Sequence, residues 1–363
     1  MPKDIGSIFP IYGQPACAEY AIDSLSSLLL RDNDSIRFFS LCREALYLIA
    51  TQFKNNRKVL LPSYTCQTVI DPFEQLGYEI SFFRIDEDLR IDTESLIALF
   101  ETKKPQLIVV HPYYGMDLNN VEQSALEELS RAGASVVVDL TQCLFSQMRL
   151  DSVSYYVGSI RKWFGIPDGG FLIDKGKASA LNEPERENVA FVAYQLESMR
   201  LRGQYFLTGD EEIKLQSRRV QSLANDVTTN PIVPHRMSEY TYRTLQIENI
   251  EQSKLQRFNN YSFLFNTLKD NPIRGVRPIL TKMMDLTTSP LYFPIYAEDR
   301  KKVQSDLADA HIYAPVLWPI EDERILGVKS AARLYRDLLA LPCDQRYDTC
   351  DMERIIHVLS RMK

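Results

Sequence analysis

Lys162 and Asp139 are the residues of this chain whose types and spacing best suit a defined chemistry. Lys162 lies between an apolar run, Tyr155–Ile160, and the segment Pro167–Gly170, which predicts a lysine held near a tight turn and not on a helix face. Asp139 ends the run Ser135–Asp139, whose apolar residues are typical of a fully buried strand. This arrangement favours pyridoxal phosphate chemistry, because a lysine forms a Schiff base with the aldehyde while a carboxylate pairs with the pyridinium nitrogen.

The order of the neighbouring polar residues extends this pattern. The residues that carry it are Asp139, Gln142, Ser159, Lys162 and the triplet Asp168-Gly169-Gly170. Their order and spacing resemble the DegT/DnrJ/EryC1/StrS family of sugar aminotransferases, within the fold type I (aspartate aminotransferase-like) enzymes that depend on pyridoxal 5′-phosphate. The resemblance implies an α/β fold, with a mostly parallel seven-stranded sheet flanked by helices in a large domain and a smaller C-terminal α+β domain.

Composition and charge limit the classes of protein to consider. The chain has 363 residues, of which 45% are hydrophobic and 25% charged, as is ordinary for a globular protein. The net charge of −6 gives no reason to expect nucleic acid or an anionic membrane as partner, and no apolar run is long enough to span a bilayer. The six cysteines and four histidines lack metal-ligand spacing, so we expect no metal. Without a signal peptide, we expect a cytoplasmic protein.

The rest of the pattern predicts the elements that position these residues. Strands and helices alternate from about residue 36 to residue 175, which is typical of a mostly parallel sheet. We expect an N-terminal arm over 1–15, a large cofactor-binding domain over 16–245 and a small C-terminal domain over 246–363. The further predicted strands are Ile36–Ser40, Val59–Leu61, Glu79–Ile85, Leu107–Val110, Leu291–Ile295 and Ile312–Leu317. The predicted helices cover 16–31, 67–76, 121–132, Leu245–Leu268, Lys301–Ala310 and two last segments, with another starting near Cys42.

The start of the helix at Cys42 is a candidate anion site. Free N–H groups at a helix N-terminus point at anions, and Arg43 lies in this first turn. The family has a Ser-Gly-Thr or Ser-Gly-Arg segment here that holds the cofactor phosphate, so the resemblance implies this role for Cys42, Arg43 and Ser159. The chain departs from the family by having Cys42 in place of glycine, and the Arg43 guanidinium is a candidate to compensate for this change. The alternative is a plain helix start with a surface arginine.

Two residues are candidates to cover the cofactor ring. The chain reads Pro62-Ser63-Tyr64-Thr65-Cys66, and the family shows P-S-x-T followed by an aromatic residue that stacks on the ring. That place holds Cys66 here, and the aromatic residue is Tyr64, so either residue is a candidate. Tyr64 has the further alternative of a core tyrosine.

Three other segments are candidates to contact the substrate. His111 and Tyr114 follow a predicted strand, and open α/β sheets bind ligands at such loops. Compared with the family, the chain has one extra residue here, which leaves open which tyrosine faces the pocket.

Arg236 begins the segment Arg-Met-Ser-Glu, which resembles a family loop that reaches the partner subunit's cofactor. The resemblance therefore implies a homodimer with shared active sites, to which Asn230 contributes. Trp318 is a candidate to contact the substrate, with a buried core residue as the alternative. From the residues alone, Ser238 and Glu239 would start a helix.

The activity that the resemblance implies is transamination. An amino acid, with glutamate the expected donor, would give its amino group to a keto group, most plausibly on a nucleotide-linked sugar. Lys162 would move the proton, and Asp139 would keep the ring nitrogen protonated. Two alternatives remain: a pyridoxal phosphate enzyme for a different small carbonyl substrate, and a non-catalytic binding or regulatory protein that retains the fold.

Overall fold

The computed structural model of the chain describes residues 4–12, 29, 34–175, 183–228, 231–280, 283, 289–319, 322–328 and 331–362. Within the predicted arm, residues 4–12 contain strand β1 (Ile5–Gly6) and no helix. The helix predicted over residues 16–31 lies outside the described residues except for the buried Leu29. The candidate cofactor-binding residue Asn230 also lies outside the described residues.

Seven strands of the described residues form one mostly parallel sheet, as the sequence predicts. They are β2 (Asp34–Phe39), β3 (Lys58–Pro62), β4 (Glu79–Phe83), β5 (Leu107–Val110), β6 (Ser135–Asp139), β7 (Val153–Ser159) and β8 (Gly170–Lys175). Their order across the sheet is β2-β8-β7-β6-β5-β3-β4. Only β8 among them runs antiparallel to its neighbours, β2 and β7. The predicted α/β fold class is confirmed.

The central strands are buried on both faces, which explains their sequences. All of β5, which reads LIVV, is buried, and so are the last four residues of β6, which reads SVVVD. Such apolar runs are typical of parallel strands covered by helices on both sides. Because these strands are parallel, their carboxyl ends meet at one edge of the sheet.

Helices alternate with these strands along the chain. The first four are α1 (Cys42–Thr51), α2 (Gln67–Gln75), α3 (Thr93–Lys103) and α4 (Asn120–Arg131). Of these, α1, α2 and α4 agree closely with the predicted segments. Two longer helices, α5 (Val189–Thr208) and α6 (Glu211–Asp226), follow the sheet and pack against each other.

The single helix predicted over Leu245–Leu268 is wrong, because this region belongs to two helices. Helix α7 (Glu239–Ile247) ends before Glu248, whose backbone is extended, and α8 (Ile250–Asp270) begins after Asn249. The Asn249 side chain accepts a hydrogen bond from the Gln252 N–H and caps α8. The apolar periodicity continues through this break, so only the capping asparagine marks it in the sequence.

The C-terminal third contains a three-stranded antiparallel sheet in the order β12-β10-β9. Its strands are β9 (Val276–Pro278), β10 (Phe293–Ala297) and β12 (Leu338–Leu341). A further short strand, β11 (Ile312–Tyr313), pairs in parallel with β1. The helices of this region are α9 (Arg300–Asp309), α10 (Glu323–Leu326), α11 (Ala331–Asp337) and α12 (Thr349–Ser360).

Two predictions in this region need correction. The strand predicted over Ile312–Leu317 ends at Tyr313, because β1, the strand with which it pairs, has only two residues. Strand β12 was not predicted, since two final helices were expected where α11, β12 and α12 lie. Its sequence, LLAL, is a short apolar run that periodicity does not distinguish from a helical turn.

Apolar side chains of the C-terminal third pack into both main core clusters. Leu291, Tyr296 and Trp318 belong to the cluster around the large sheet, while Ile5 of the arm belongs to the cluster around the small sheet. The domain boundary near residue 245 stays a prediction. No described helix combines the length and the apolar character needed to cross a membrane.

Candidate active site

The carboxyl ends of β6 and β7 bring Asp139 and the Lys162 turn to the same edge of the sheet. Asp139 is 5% exposed, and its Oδ1 accepts a hydrogen bond from the Thr141 N–H at 2.9 Å. Ser159 ends β7, and its N–H donates to Thr141 Oγ1 at 3.1 Å. Lys162 follows in the turn that leads to β8. Strand pairing therefore places the predicted carboxylate and lysine in one region.

The turn that contains Lys162 is held by hydrogen bonds and by a glycine. The Ile160 N–H donates to the Gly169 carbonyl at 2.9 Å, and Trp163 Nε1 donates to the Thr141 carbonyl at 2.9 Å. Gly169 has a φ of +130°, which residues with a side chain rarely adopt. Trp163 is fully buried, so its indole anchors the residue next to Lys162. The structure thus shows Lys162 in a constrained turn, as the sequence predicts.

Asp168 links this turn to the start of α7. Its carboxylate accepts hydrogen bonds from the Ser238 N–H at 2.9 Å, from Ser238 Oγ at 2.7 Å and from Thr241 Oγ1. Burial raises the pKa of the Asp168 carboxyl, and these hydrogen bonds oppose that effect. Ser238 also caps α7 by accepting from the Thr241 N–H. The helix start predicted at Ser238 is confirmed, and it holds the Lys162 turn in place.

Gly170 lets the start of α1 approach the Lys162 turn. A Cβ atom at Gly170 would lie 2.5 Å from the Cys42 backbone nitrogen, closer than real contacts allow. Leu41 precedes α1 and makes no side-chain cap, and the N–H groups of Cys42 and Arg43 have no acceptor among the described residues. The first turn of α1 therefore presents free N–H donors close to the turn of Lys162.

These elements enclose a cavity of about 280 Å³. Most of the predicted site residues line it, namely Cys42, Arg43, Cys66, Asp139, Gln142, Ser159, Lys162 and Trp318. Its wall also contains Thr141, Arg161 and Tyr292, which are not among the predicted cofactor-binding or substrate residues. The positions of Thr141 and Arg161 beside motif residues were a usable signal, whereas no local pattern marks Tyr292.

Of the two candidates to cover a ring, Cys66 lines the cavity and Tyr64 does not. Tyr64 is 2% exposed and packs in an aromatic cluster, with its ring centroid 4.8 Å from that of Trp318 and 5.6 Å from that of Tyr113. The structure therefore favours Cys66 as the residue at this wall. Burial raises the pKa of the neighbouring Cys42 thiol well above its ordinary value, so this thiol stays protonated.

Three predicted substrate contacts, His111, Tyr114 and Arg236, are not among the residues that line the cavity. Tyr114 is fully buried, and its N–H donates to Gln142 Oε1 at 2.9 Å. Arg236 is half-exposed, and its Nη2 pairs with Glu187 Oε1 at 2.8 Å. His111 contacts Asp139 instead. Tyr114 and His111 thus support wall residues and do not form the wall themselves.

His111 joins Asp139 to Thr65 in a buried chain of polar groups. Its Nδ1 lies 3.5 Å from Asp139 Oδ2, and its Nε2 lies 2.8 Å from Thr65 Oγ1. Burial lowers the pKa of His111 more than the Asp139 carboxylate raises it. A neutral imidazole with its proton on Nδ1 donates to Asp139 and accepts from the Thr65 hydroxyl, so it fits both neighbours.

This environment predicts a pH dependence of stability. Folding lowers the pKa of His111 from its ordinary value of about 6.5. Below that pH, the unfolded chain therefore takes up a proton that the folded chain does not. This contribution to the free energy of unfolding is present above that pH and is lost as the pH falls. Urea unfolding between about pH 7 and pH 5 measures it. We expect His111→Gln to flatten the dependence and His357→Gln, at an exposed histidine, to leave it unchanged. An equal slope in all three proteins would contradict this.

Gln142 carries an unsatisfied donor at the cavity. Its Oε1 accepts from Tyr114, while its Nε2 is buried and has no acceptor among the described residues. The side chain is only 3% exposed, and a buried donor without a partner costs about 1–3 kcal/mol. A ligand that offers an acceptor to Nε2 would recover this free energy.

A second cavity, of about 600 Å³, adjoins the first. The two share Arg161, Lys162, Leu291 and Tyr292 as wall residues. The larger cavity also takes wall residues from the arm, α5, α6 and the segment after β11. Lys162 therefore lies where a ligand in one cavity would meet a ligand in the other.

Comparisons with known proteins identify the fold. No protein-family model matches the chain, and no curated protein matches it. Among solved structures, S. venezuelae DesV in complex with a ketimine intermediate is 17% identical with a TM-score of 0.65, covering 93% of this chain and 86% of that chain. Helicobacter pylori PseC, an aminotransferase involved in the biosynthesis of pseudoaminic acid, is 14% identical with a TM-score of 0.66, covering 98% of each chain. A DegT DnrJ EryC1 StrS aminotransferase from Brucella abortus is 15% identical with a TM-score of 0.64, covering 94% and 91%.

These likenesses extend over nearly the whole chain at low sequence identity. They confirm, at the level of the fold, the resemblance that the order of Asp139, Lys162 and their neighbours indicates. The chain therefore has the fold of solved aminotransferases of the DegT/DnrJ/EryC1/StrS type.

Proposed function

We propose that the chain is a pyridoxal 5′-phosphate-dependent aminotransferase that takes an amino group from glutamate and gives it to a keto group on a nucleotide-linked sugar. The observation that carries this proposal is that Asp139 and Lys162 line one cavity at the carboxyl ends of neighbouring strands. The solved proteins that share the fold support the reaction class, because one of them is described as a sugar aminotransferase and another as a putative sugar aminotransferase.

The residues at the cavity fit this cofactor. Lys162 would hold it covalently, Asp139 would pair with its ring nitrogen, and Gln142 Nε2 would donate to one of its oxygens. Ser159 and the first turn of α1 would hold its phosphate. The orphaned Nε2 of Gln142 and the free N–H groups of α1 are the donors that such a ligand satisfies.

The protein groups have separate tasks in the proposed reaction. When bound, pyridoxal phosphate supplies an electron sink for the negative charge that develops at the donor's α-carbon. Lys162 Nζ takes the proton from that carbon and returns it later, as a general base and acid. His111 orients Asp139, so that its carboxylate keeps one position under the cavity. Trp318 and Tyr292 would help to exclude water from the site, since both place aromatic rings along the cavity.

We further propose a cytoplasmic homodimer with shared active sites. Large apolar side chains on α5 and α6 support a partner surface, because Val189 is 71%, Leu207 77% and Leu223 47% exposed. Sedimentation of the purified chain tests it, with twice the monomer mass expected. A monomer at all concentrations would contradict the dimer and leave the reaction class untouched.

The absorption spectrum of the purified protein with added pyridoxal phosphate tests the proposed reaction. We expect a visible band in the wild type that is missing in Lys162→Ala and present in Lys175→Ala, whose lysine is paired with Asp151 away from the cavity. Glutamate should then convert the band to that of the aminated cofactor. Absence of the band in the wild type would overturn the proposal. A Lys162-dependent band that glutamate does not change would keep the cofactor and reject this donor.

A further inference from the structure

Arg161 lies at the centre of the site and has no salt-bridge partner among the described residues. It precedes Lys162 and lines both cavities. Its side chain is partly buried, and its guanidinium group makes no hydrogen bond or salt bridge with any described residue. A guanidinium group that is removed from much of its water normally gains a carboxylate or a phosphate in return.

A second guanidinium lies beside it. Arg43, in the first turn of α1, donates to the Thr228 carbonyl at 3.1 Å and is 3.8 Å from Asp71. Burial and then the nearby Arg43 charge lower the pKa of Arg161, with Asp168 acting in the opposite direction. Asp168 is hydrogen-bonded to Ser238 and makes no salt bridge with either arginine among the described residues. Arg43 has Asp71 at 3.8 Å, so Arg161 is the guanidinium of this pair that lacks a described salt-bridge partner and favours an anionic ligand.

The other charged residues that line the smaller cavity also favour an anionic ligand. Its charged residues are Arg43, Arg161, Lys162 and Asp139, so the wall carries three positive groups and one negative group. Cys42 and Arg43, whose N–H groups have no acceptor among the described residues, line the same cavity. Independently of these charges, the buried Nε2 of Gln142 lacks an acceptor, which indicates that a ligand completes this cavity.

We propose that Arg161, with Arg43 and the first turn of α1, binds a phosphate dianion, and that Arg161 determines the preference of the site for a phosphorylated ligand. This inference rests on the proposed function, since it assigns a residue to the phosphate of its cofactor. A dianion matches two guanidinium groups and several N–H donors, whereas a single carboxylate, such as that of an amino donor, is satisfied by one guanidinium fork.

Calorimetric binding of pyridoxamine 5′-phosphate and of pyridoxamine to the full chain tests the proposal without any reaction. We expect the wild type to bind the phosphorylated compound much more tightly. Arg161→Gln should weaken that binding by about 10- to 100-fold and leave pyridoxamine binding unchanged, because only the phosphate loses a charged hydrogen-bond donor. The affinity of Arg161→Lys for pyridoxamine 5′-phosphate should lie between those of the wild type and Arg161→Gln, since lysine keeps the charge without the guanidinium fork. Arg131→Gln, at a residue 77% exposed, controls for net charge.

The outcomes separate this inference from the proposed function. If the wild type binds neither compound, both the proposed function and the proposed role of Arg161 are overturned. If it binds the phosphorylated compound and Arg161→Gln keeps the full preference, or weakens both compounds equally, the cofactor stands and this role of Arg161 is overturned.

Thermal unfolding in phosphate-free buffer gives a second readout. Inorganic phosphate should raise the Tm of the wild type more than that of Arg161→Gln. Without phosphate, the Tm of Arg161→Gln should be no lower than that of the wild type, because the variant lacks the Arg43–Arg161 repulsion. A shift with glutamate alone, and none with phosphate, would assign Arg161 to a carboxylate and overturn the proposal.

Discussion

Replacing Lys162 with alanine is expected to slow amino transfer from glutamate by about 10²- to 10⁴-fold or more, which is the range that a positioned acid–base group contributes. No other lysine is among the described residues that line either cavity, so no neighbouring amine can take over the proton. Trp163 and Gly169 hold the turn on its two sides without using the lysine side chain, so the variant should fold normally. Single-turnover formation of 2-oxoglutarate measures the rate.

Chemical rescue sharpens this experiment. Truncation at Lys162 leaves space at the junction of the two cavities, and a small primary amine such as methylamine can carry the proton from there. We expect added methylamine to restore part of the rate in Lys162→Ala and to have no effect on the wild type or on Lys175→Ala. A rate in Lys162→Ala within tenfold of the wild type would show that another group carries the proton.

The second large effect is expected on stability, from Asp168→Ala. This change leaves two buried donors, Ser238 N–H and Ser238 Oγ, without their acceptor, while Thr241 Oγ1 keeps only the Asp168 backbone carbonyl at 3.4 Å. Each buried unsatisfied donor costs about 1–3 kcal/mol, so the free energy of unfolding should fall by about 2 kcal/mol or more. The loss also frees the Lys162 turn from α7. Equilibrium unfolding in urea, with pyridoxal phosphate absent, measures this effect.

Asp174 is a matched control, because it is also a fully buried aspartate but accepts no hydrogen bond from the described residues. Its removal leaves no donor unpaired and relieves the cost of burying an unpartnered carboxyl group. We therefore expect Asp174→Ala to cause no loss of stability. Equal losses at Asp168 and Asp174 would mean that aspartate burial, and not the Ser238–Thr241 network, sets the effect.

The sequence was sufficient to predict the large sheet and to bring Asp139 and Lys162 together, since both line one cavity. Strands β5 and β6 are uninterrupted apolar runs, and Asp139 and Lys162 each follow directly from a strand or a turn signal. The limits appeared where local patterns are ambiguous. The run LLAL in β12 fits a helix or a strand, and its pairing with β10 decides between them only in the folded chain.

The surroundings of the site depended on contacts that the sequence does not reveal. His111 was predicted to touch substrate because it ends a strand, yet its ring turns toward Asp139 and Thr65. Cys66 lines the cavity because Tyr64 is held in an aromatic cluster with Trp318, far away in the sequence. Spatial neighbours that are distant in sequence, and not residue type, decide which side chains face the cavity.

The site combines one local hairpin with contacts between distant segments, and this sets when it forms. The hairpin of β7 and β8 needs only a short loop, whereas the Asp168–Ser238 contact joins residues 70 positions apart. Distant contacts close late in folding because their loops cost more entropy. The cavity therefore exists only after the chain has closed, and a ligand bound there stabilises the closed state, by about 2.7 kcal/mol at a hundred times its Kd. In a cell short of that ligand, the chain would open more often and be degraded sooner by proteases.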